Sequence, residues 1–234
     1  MFCFVPLWLC IVEIQASNQS LKQQLWKTFK LGWITQFILT LIGFNWVAYT
    51  IHEFGGMNWA LSIAGLILFC CVANLYVPIS CMLWIYIKSK ASLNLSKSLI
   101  LLAILTALLK PIVWTLFPWD YAYTWYWVGW PIFQITDIIG FQGLSSLIIL
   151  LNSGVMFFWL NRSENKGKTS LFITVFSFIL LSLFGYIRQQ NLTPETAEIN
   201  VLQVQGNIGN QEKVYAETGS NYKYSIYNLS LIHI

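Results

Sequence analysis

The chain has 234 residues, 57% of them hydrophobic and only 9% charged, with a formal net charge of +4. Ordinary soluble domains carry about 25% charged residues, so this composition cannot cover a globular surface in water. The basic residues are spread over several loops without a basic run, which removes the case for nucleic-acid binding. A bilayer, which accepts an apolar exterior, is the environment that fits.

The first apolar stretch, residues 2–14, falls short of the roughly 20 residues that a span needs. Either it lies partly in the interface or it belongs to a longer helix. It lacks the basic n-region and small-residue cleavage site of a secretory signal. Residues 29–51, 59–87, 99–117, 138–160 and 170–187 are apolar runs near spanning length. Helix is the expected form, because lipid offers backbone groups no partner and barrel strands would be shorter and alternating. With the first stretch, the expectation is a polytopic α-helical membrane protein of about six membrane segments.

The loops orient these segments. Lys22, Lys27 and Lys30 fall between segments one and two, Lys88, Lys90 and Lys97 between three and four, and Arg162, Lys166 and Lys168 between five and six. Residues 47–58 and 118–137, in the alternate loops, hold no Lys or Arg. This is the alternation of the positive-inside rule. It makes the basic loops cytoplasmic and places everything after Arg188 on the far side of the membrane.

Candidates for chemistry are sparse. Asn45, His52, Glu53, Lys110 and Asp137 are the polar residues associated with spans. A charge at mid-bilayer costs about 2.5–3.5 kcal/mol on insertion scales, and the four ionisable ones fall near segment ends, where they reach water or headgroups. Lys110, just before Pro111, can snorkel. Cys3, Cys10, Cys70, Cys71 and Cys81 lie in apolar stretches without metal-ligand spacing and read as packing residues. No metal or nucleotide site is visible and no cofactor is implied. The aromatic loop of residues 117–131 reads as an interfacial anchor belt. Its functional reading is a platform that holds a lipid or lipidated substrate.

Beyond the membrane domain, residues 1–188, the composition changes. Residues 189–198 read as a polar linker. Residues 199–208 read as a buried strand running into a Gly-Asn turn, and 211–229 as a possible helix weakened by Gly219. One strand and one helix cannot bury a core, so residues 199–234 resemble the opening of an extracytoplasmic domain.

The strand-turn Val201-Leu-Gln-Val-Gln-Gly-Asn-Ile208, entered from a membrane helix, resembles the first strand of the α/β nitrilase-type (carbon-nitrogen hydrolase) domain of the apolipoprotein N-acyltransferase family. Three membrane motifs point the same way. They are Gly43-Phe-Asn-Trp-Val-Ala-Tyr49 with His52-Glu-Phe-Gly-Gly56, then Phe117-Pro-Trp119, then Gln134-Ile-Thr-Asp-Ile-Ile-Gly-Phe-Gln-Gly-Leu-Ser145 leading to Asn152. The resemblance implies an enzyme of the bacterial inner membrane. Such an enzyme moves an acyl chain from a phospholipid to the N-terminal amine of a diacylated lipoprotein cysteine, through a thioester on a Glu-Lys-Cys triad. A thiolate nucleophile, a carboxylate base and a lysine at the oxyanion suit that chemistry.

No residue of this chain matches the triad. No cysteine follows Cys81. Glu195 precedes the first strand, Glu212, Lys213, Glu217 and Lys223 lie in the first helix region, and Val214 stands where many members have tryptophan. The family also has a helix ahead of Phe4-Val-Pro-Leu-Trp8 and one after its soluble domain. The expectation is therefore a piece of such an enzyme, inactive as it stands, with catalytic residues elsewhere. The reading from another class is a non-enzymatic transporter or assembly factor. Against it, the spans carry no central charges of a transport pathway and show no inverted repeat.

Overall fold

The computed structural model describes residues 3–191. The strand and helix expected within 199–229, and Glu195, Glu212, Lys213, Glu217 and Lys223, lie outside the described residues. The described residues form helices joined by short loops, with no strand among them. Four helical stretches are long and apolar enough to cross a membrane, or five if one sharply bent pair counts as a span.

Helix α1 (Val5–Ala16) starts with a proline in its first turn, where a missing N–H costs nothing. It is about 18 Å long by helical rise, which is short for a span. Its entry is fixed from a distance, because the Phe4 N–H donates to Oδ1 of the buried Asn152, 3.4 Å away. Helix α2 (Leu21–Gly43) opens at Ser20, whose N–H donates to Gln23 Oε1.

Helix α2 carries the packing logic of the whole molecule. Its buried positions are Thr28, Gly32, Gln36 and Thr40, a stripe at i, i+4 of small and polar residues. Its exposed positions include Trp26, Ile34, Ile38 and Ile42. In water that pattern would be inverted. In lipid it is favourable, since tails are as apolar as leucine and helices associate through close backbone approach and interhelical hydrogen bonds. On α2 the close approach is at Gly32, where a Cβ would stand 2.8 Å from Pro78 Cα.

The apolar run 29–51 is not one straight helix. It breaks after Gly43 and continues as α3 (Trp46–Gly55) at 59° to α2. The run 59–87 also divides, into α4 (Trp59–Val72) and α5 (Tyr76–Lys90). Pro78 is the physical reason for that break. It has no N–H to donate to the Asn74 carbonyl, and its ring crowds that carbonyl. Asn74 turns the chain with φ of 54°, a left-handed conformation that asparagine tolerates better than most residues. Pro78 itself falls in the first turn of α5, where proline is accommodated.

Helix α6 (Leu95–Ile112) is capped by the Asn94 side chain, which accepts from the Lys97 N–H. It stops one residue after Pro111, earlier than the apolar run to residue 117 suggested. The aromatic loop then forms a single short helix, α7 (Tyr123–Val128), closed by Gly129 at φ of 68°. A 3-10 turn (Pro131–Ile135) leads into α8 (Thr136–Leu160), which is kinked at Gly140. Helix α9 (Asn165–Gln190) is peripheral, with only Gly167 and Gly185 buried.

The main core joins α1, α5, α6 and α8 through Trp8, Ile11, Trp84, Leu102, Ile149 and Met156. Polar bonds run through it. Trp84 Nε1 donates to the Ser98 carbonyl at 2.6 Å, and Thr106 Oγ1 donates to Ser80 Oγ at 3.2 Å. Ser170 Oγ donates to the Gly154 carbonyl at 3.0 Å, stitching α9 to α8.

Gly32→Val should destabilise the fold by about 1–3 kcal/mol, the usual cost of overpacking, because the obstacle is Pro78 backbone and not a movable side chain. Thermal unfolding in detergent checks this. Gly43→Ala, where a Cβ meets nothing within 4 Å, is the matched control and should be near neutral.

Candidate functional site

The break between α4 and α5 releases carbonyls that a continuous helix would have used. Two side chains of α2 take them up. Gln36 Nε2 donates to the Cys70 carbonyl at 3.0 Å, and Trp33 Nε1 donates to the Cys71 carbonyl at 2.9 Å. Asn74 Nδ2 donates to Thr40 Oγ1 at 3.1 Å, and Thr40 Oγ1 in turn reaches Gln36 Oε1 at 3.5 Å. A polar seam, Gln36–Thr40–Asn74, is thus built into an apolar bundle. Each member is held by another, as buried polar groups require.

Above the seam lies the aromatic loop, tied to α9 through Trp130 Nε1, which donates to Ser182 Oγ at 3.0 Å, and beside the seam at two further points. Lys110, in the last turn of α6, forms an ion pair with Asp120 at 2.5 Å, both side chains being largely buried. A lysine at a helix C-terminus is also favoured by the helix dipole. The carboxylate accepts a second bond from Ser145 Oγ at 3.1 Å, and Ser145 Oγ accepts from the Ala122 N–H at 3.2 Å. The second of these two points is the 2.6 Å hydrogen bond between the Tyr76 and Tyr121 hydroxyls. Burial, with the Tyr76 phenol alongside, pushes the Tyr121 phenol well above the ordinary tyrosine value. It stays protonated at physiological pH.

So fixed, the loop presents its rings to the break between α2 and α3. Phe117 stacks on Phe44 at 6.2 Å between centroids and meets Phe69 edge-on at 5.5 Å, and Trp119 meets Phe44 edge-on at 6.5 Å. Beneath them is a cavity of about 380 Å³, walled by Leu39, Phe44, Trp46 and Trp119 and floored by the polar seam. A second cavity of about 340 Å³ adjoins it and contains Lys110, Asp120 and Gln142. Asn74, Tyr76 and Trp119 line both. Mainly apolar walls with a few convergent polar groups are the usual build of a small-molecule site.

The residues singled out from sequence fall in four places. Asn45 sits at the α2–α3 break, exposed, its Nδ2 donating to the Ile42 carbonyl at 3.1 Å. His52 is in the last turn of α3. Its Nδ1 lies 2.6 Å from the Met57 carbonyl, which can only accept, so the ring N–H donates, and the ring stacks on Trp59 at 4.2 Å. These contacts fasten the α3–α4 turn. Glu53 occupies the same turn, and neither His52 nor Glu53 lines the two cavities. Asp137 meets Arg188 at 3.5 Å with both side chains exposed, linking the start of α8 to the end of α9. Lys110 does not snorkel alone but pairs with Asp120.

Asp120, Ser145, Gln36 and Asn74 were not singled out in the sequence. The signal for Asp120 was available, since it is the one carboxylate of an otherwise aromatic loop ten positions beyond a lysine that ends a span. The cysteines are free thiols, Cys70 and Cys81 buried and Cys3 and Cys10 exposed. Among the described residues no three His, Cys, Asp or Glu side chains gather as a metal-binding group.

Lys110→Met should cost about 3 kcal/mol, the low end for stripping one partner from a buried pair, and should loosen the loop. Lys110→Met with Asp120→Leu should recover most of that loss, because the stranded charge goes with its partner. Thermal unfolding in detergent and protease cleavage within residues 113–130 measure both.

Comparison with known proteins places this geometry. The family model described as the apolipoprotein N-acyltransferase N-terminal domain matches residues 1–154. An apolipoprotein N-acyltransferase of Bdellovibrio bacteriovorus is 37% identical over 223 residues, covering 95% of this chain and 40% of that protein. One of Coxiella burnetii is 24% identical over 83% of this chain and 42% of that protein, and one of Haemophilus ducreyi 27% identical over 74% and 33%. The chain thus spans well under half the length of these relatives. No solved structure matches. With the family domain matched over most of its length and a relative this similar along nearly all of it, the chain belongs to the apolipoprotein N-acyltransferase family.

Proposed function

We propose that these residues form the membrane part of an enzyme that transfers an acyl chain from a phospholipid to the N-terminal amine of a diacylated lipoprotein cysteine. The observation that carries the reading, beyond family membership, is the pinned aromatic loop over an apolar cavity with a polar floor. Acyl chains are long, flexible and apolar, and their ester ends are polar. A cavity walled by Phe44, Trp46 and Trp119 and floored by Gln36, Thr40 and Asn74 complements both features. Aromatic rings, with few rotatable bonds, also lose little conformational entropy on binding, which favours affinity.

On this reading about six membrane segments, the broken ones included, cross the bacterial inner membrane. The basic ends of α2, α5–α6 and α8–α9 face the cytoplasm, and the aromatic loop faces outward. Residues 189–198 serve as a linker, and 199–234 begin a nitrilase-type domain outside the cytoplasm. We place the Glu-Lys-Cys chemistry in the part of the relatives' length that this chain does not span. The membrane part then supplies and orients lipid, which is the positional share of catalysis.

The test is genetic and chemical. The complete protein carrying these 234 residues is expressed in a bacterium depleted of its own N-acyltransferase, and lipoprotein N-termini are read by mass spectrometry. N-acylated termini are expected. Trp119→Ala should lower the acylation rate about tenfold, the equivalent of one lost aromatic contact of about 1.4 kcal/mol. Lipoproteins that stay diacylated, with a free N-terminal amine, in the presence of the well-expressed complete protein would overturn the reading.

A further inference from the structure

A groove of about 670 Å³ lies away from the site above, between α6, α8 and α9. Leu99, Leu147, Leu151, Ile173 and Leu181 line it, together with a hydroxyl stripe on α9. From Lys166 to Leu181 it follows α9 for about 22 Å by helical rise. One leaflet's hydrocarbon is about 15 Å deep, half the thickness of the core. The groove is therefore long enough for a whole acyl chain.

The hydroxyl stripe does not make it a polar site. Thr169 Oγ1 donates to the Asn165 carbonyl at 2.9 Å, Ser170 Oγ to the Gly154 carbonyl at 3.0 Å, and Thr174 Oγ1 to the Ser170 carbonyl at 2.8 Å. With their hydrogens committed to backbone, these hydroxyls offer the groove no free donor. Beside the groove α9 touches α8 through small residues, and a Cβ on Gly154 would lie 2.1 Å from Thr174 Oγ1.

Charge is confined to the mouth. Lys166 lines it, and its partner Glu164 is 3.9 Å away with both side chains exposed, a pair worth little in water. The surrounding end of the bundle carries Lys88, Lys90, Lys97, Arg162 and Lys168. Basic mouths between membrane helices select anionic headgroups.

We infer that this groove is a binding site for one anionic phospholipid of the leaflet at the basic end. Its acyl chain lies between α8 and α9 and its phosphate rests on Lys166. The site is independent of the acyl-transfer reading, since it shares no residue with the aromatic-loop cavities.

The 234-residue chain in lipid nanodiscs, with phosphatidylglycerol or phosphatidylcholine carrying a diazirine in the acyl chain, tests this. Phosphatidylglycerol should label Leu147, Leu151, Ser177 and Leu181 in preference to Phe172, Val175 and Ile179, which are exposed and lie on the other side of α9 by helical periodicity. Phosphatidylcholine should label the groove less. Lys166→Gln should cut the preference for phosphatidylglycerol about fivefold, the worth of one basic residue at an anionic surface. Ser177→Phe should fill the groove and abolish groove labelling while leaving the outer face labelled. Equal labelling of both faces of α9, or equal groove labelling by the two lipids, would overturn the inference.

Discussion

A helix that breaks inside a bilayer frees backbone carbonyls where no water can reach them, and each unmet group costs several kcal/mol there. The break between α4 and α5 is tolerated because Gln36 and Trp33 of α2 donate to the Cys70 and Cys71 carbonyls. Much else follows from that repair. It sets the register of α2 against α5, where Gly32 meets Pro78. It brings Thr40 to Asn74. It also leaves Tyr76, first residue of α5, in reach of Tyr121 in the aromatic loop. The cavity therefore inherits its polar floor from a helix defect and its roof from a loop anchored to the same defect.

The loop has a second anchor of a different kind. A buried ion pair is a poor source of net stability, because desolvation offsets most of the attraction. Lys110 and Asp120 are better understood as a device for position. One carboxylate gathers Lys110 from α6 and Ser145 from α8, and Ser145 also receives the Ala122 N–H of the loop. Two helices and the loop thus share one point. Rings that would otherwise sample the interface freely are held over Phe44 and Phe69.

The helical membrane class was legible in composition, because composition reports on lipid directly. Asn58 and Asn94 cap the starts of α4 and α6 and α6 ends one residue after Pro111, local signals that a reading of apolar runs to residue 117 passes over. The breaks at residues 44–45 and 73–75 were not legible, because apolar residues flank them and hydropathy averages over them. Pro78 was the available clue, but proline inside membrane helices is common enough not to demand a break. The site was harder still. Polar residues of α2 could not be told from solvent-facing ones until the helix was seen to be inverted, with Gln36 and Thr40 inward and isoleucines outward. Attention to charges at span ends found Lys110 and missed Asp120, since pairing across ten residues depends on how the chain turns at residues 113–119. His52 stood out chemically and proved to fasten a turn.

The central claim is that the repaired helix break and the aromatic loop form one mechanical unit. Backbone hydrogen exchange on Gln36→Leu in lipid nanodiscs tests it most directly. The account predicts that protection falls together in residues 73–79 and in residues 117–130, because the seam that holds Asn74 and Tyr76 also holds the loop. Loss confined to residues 70–77, with the loop as protected as in the unaltered chain, would contradict it.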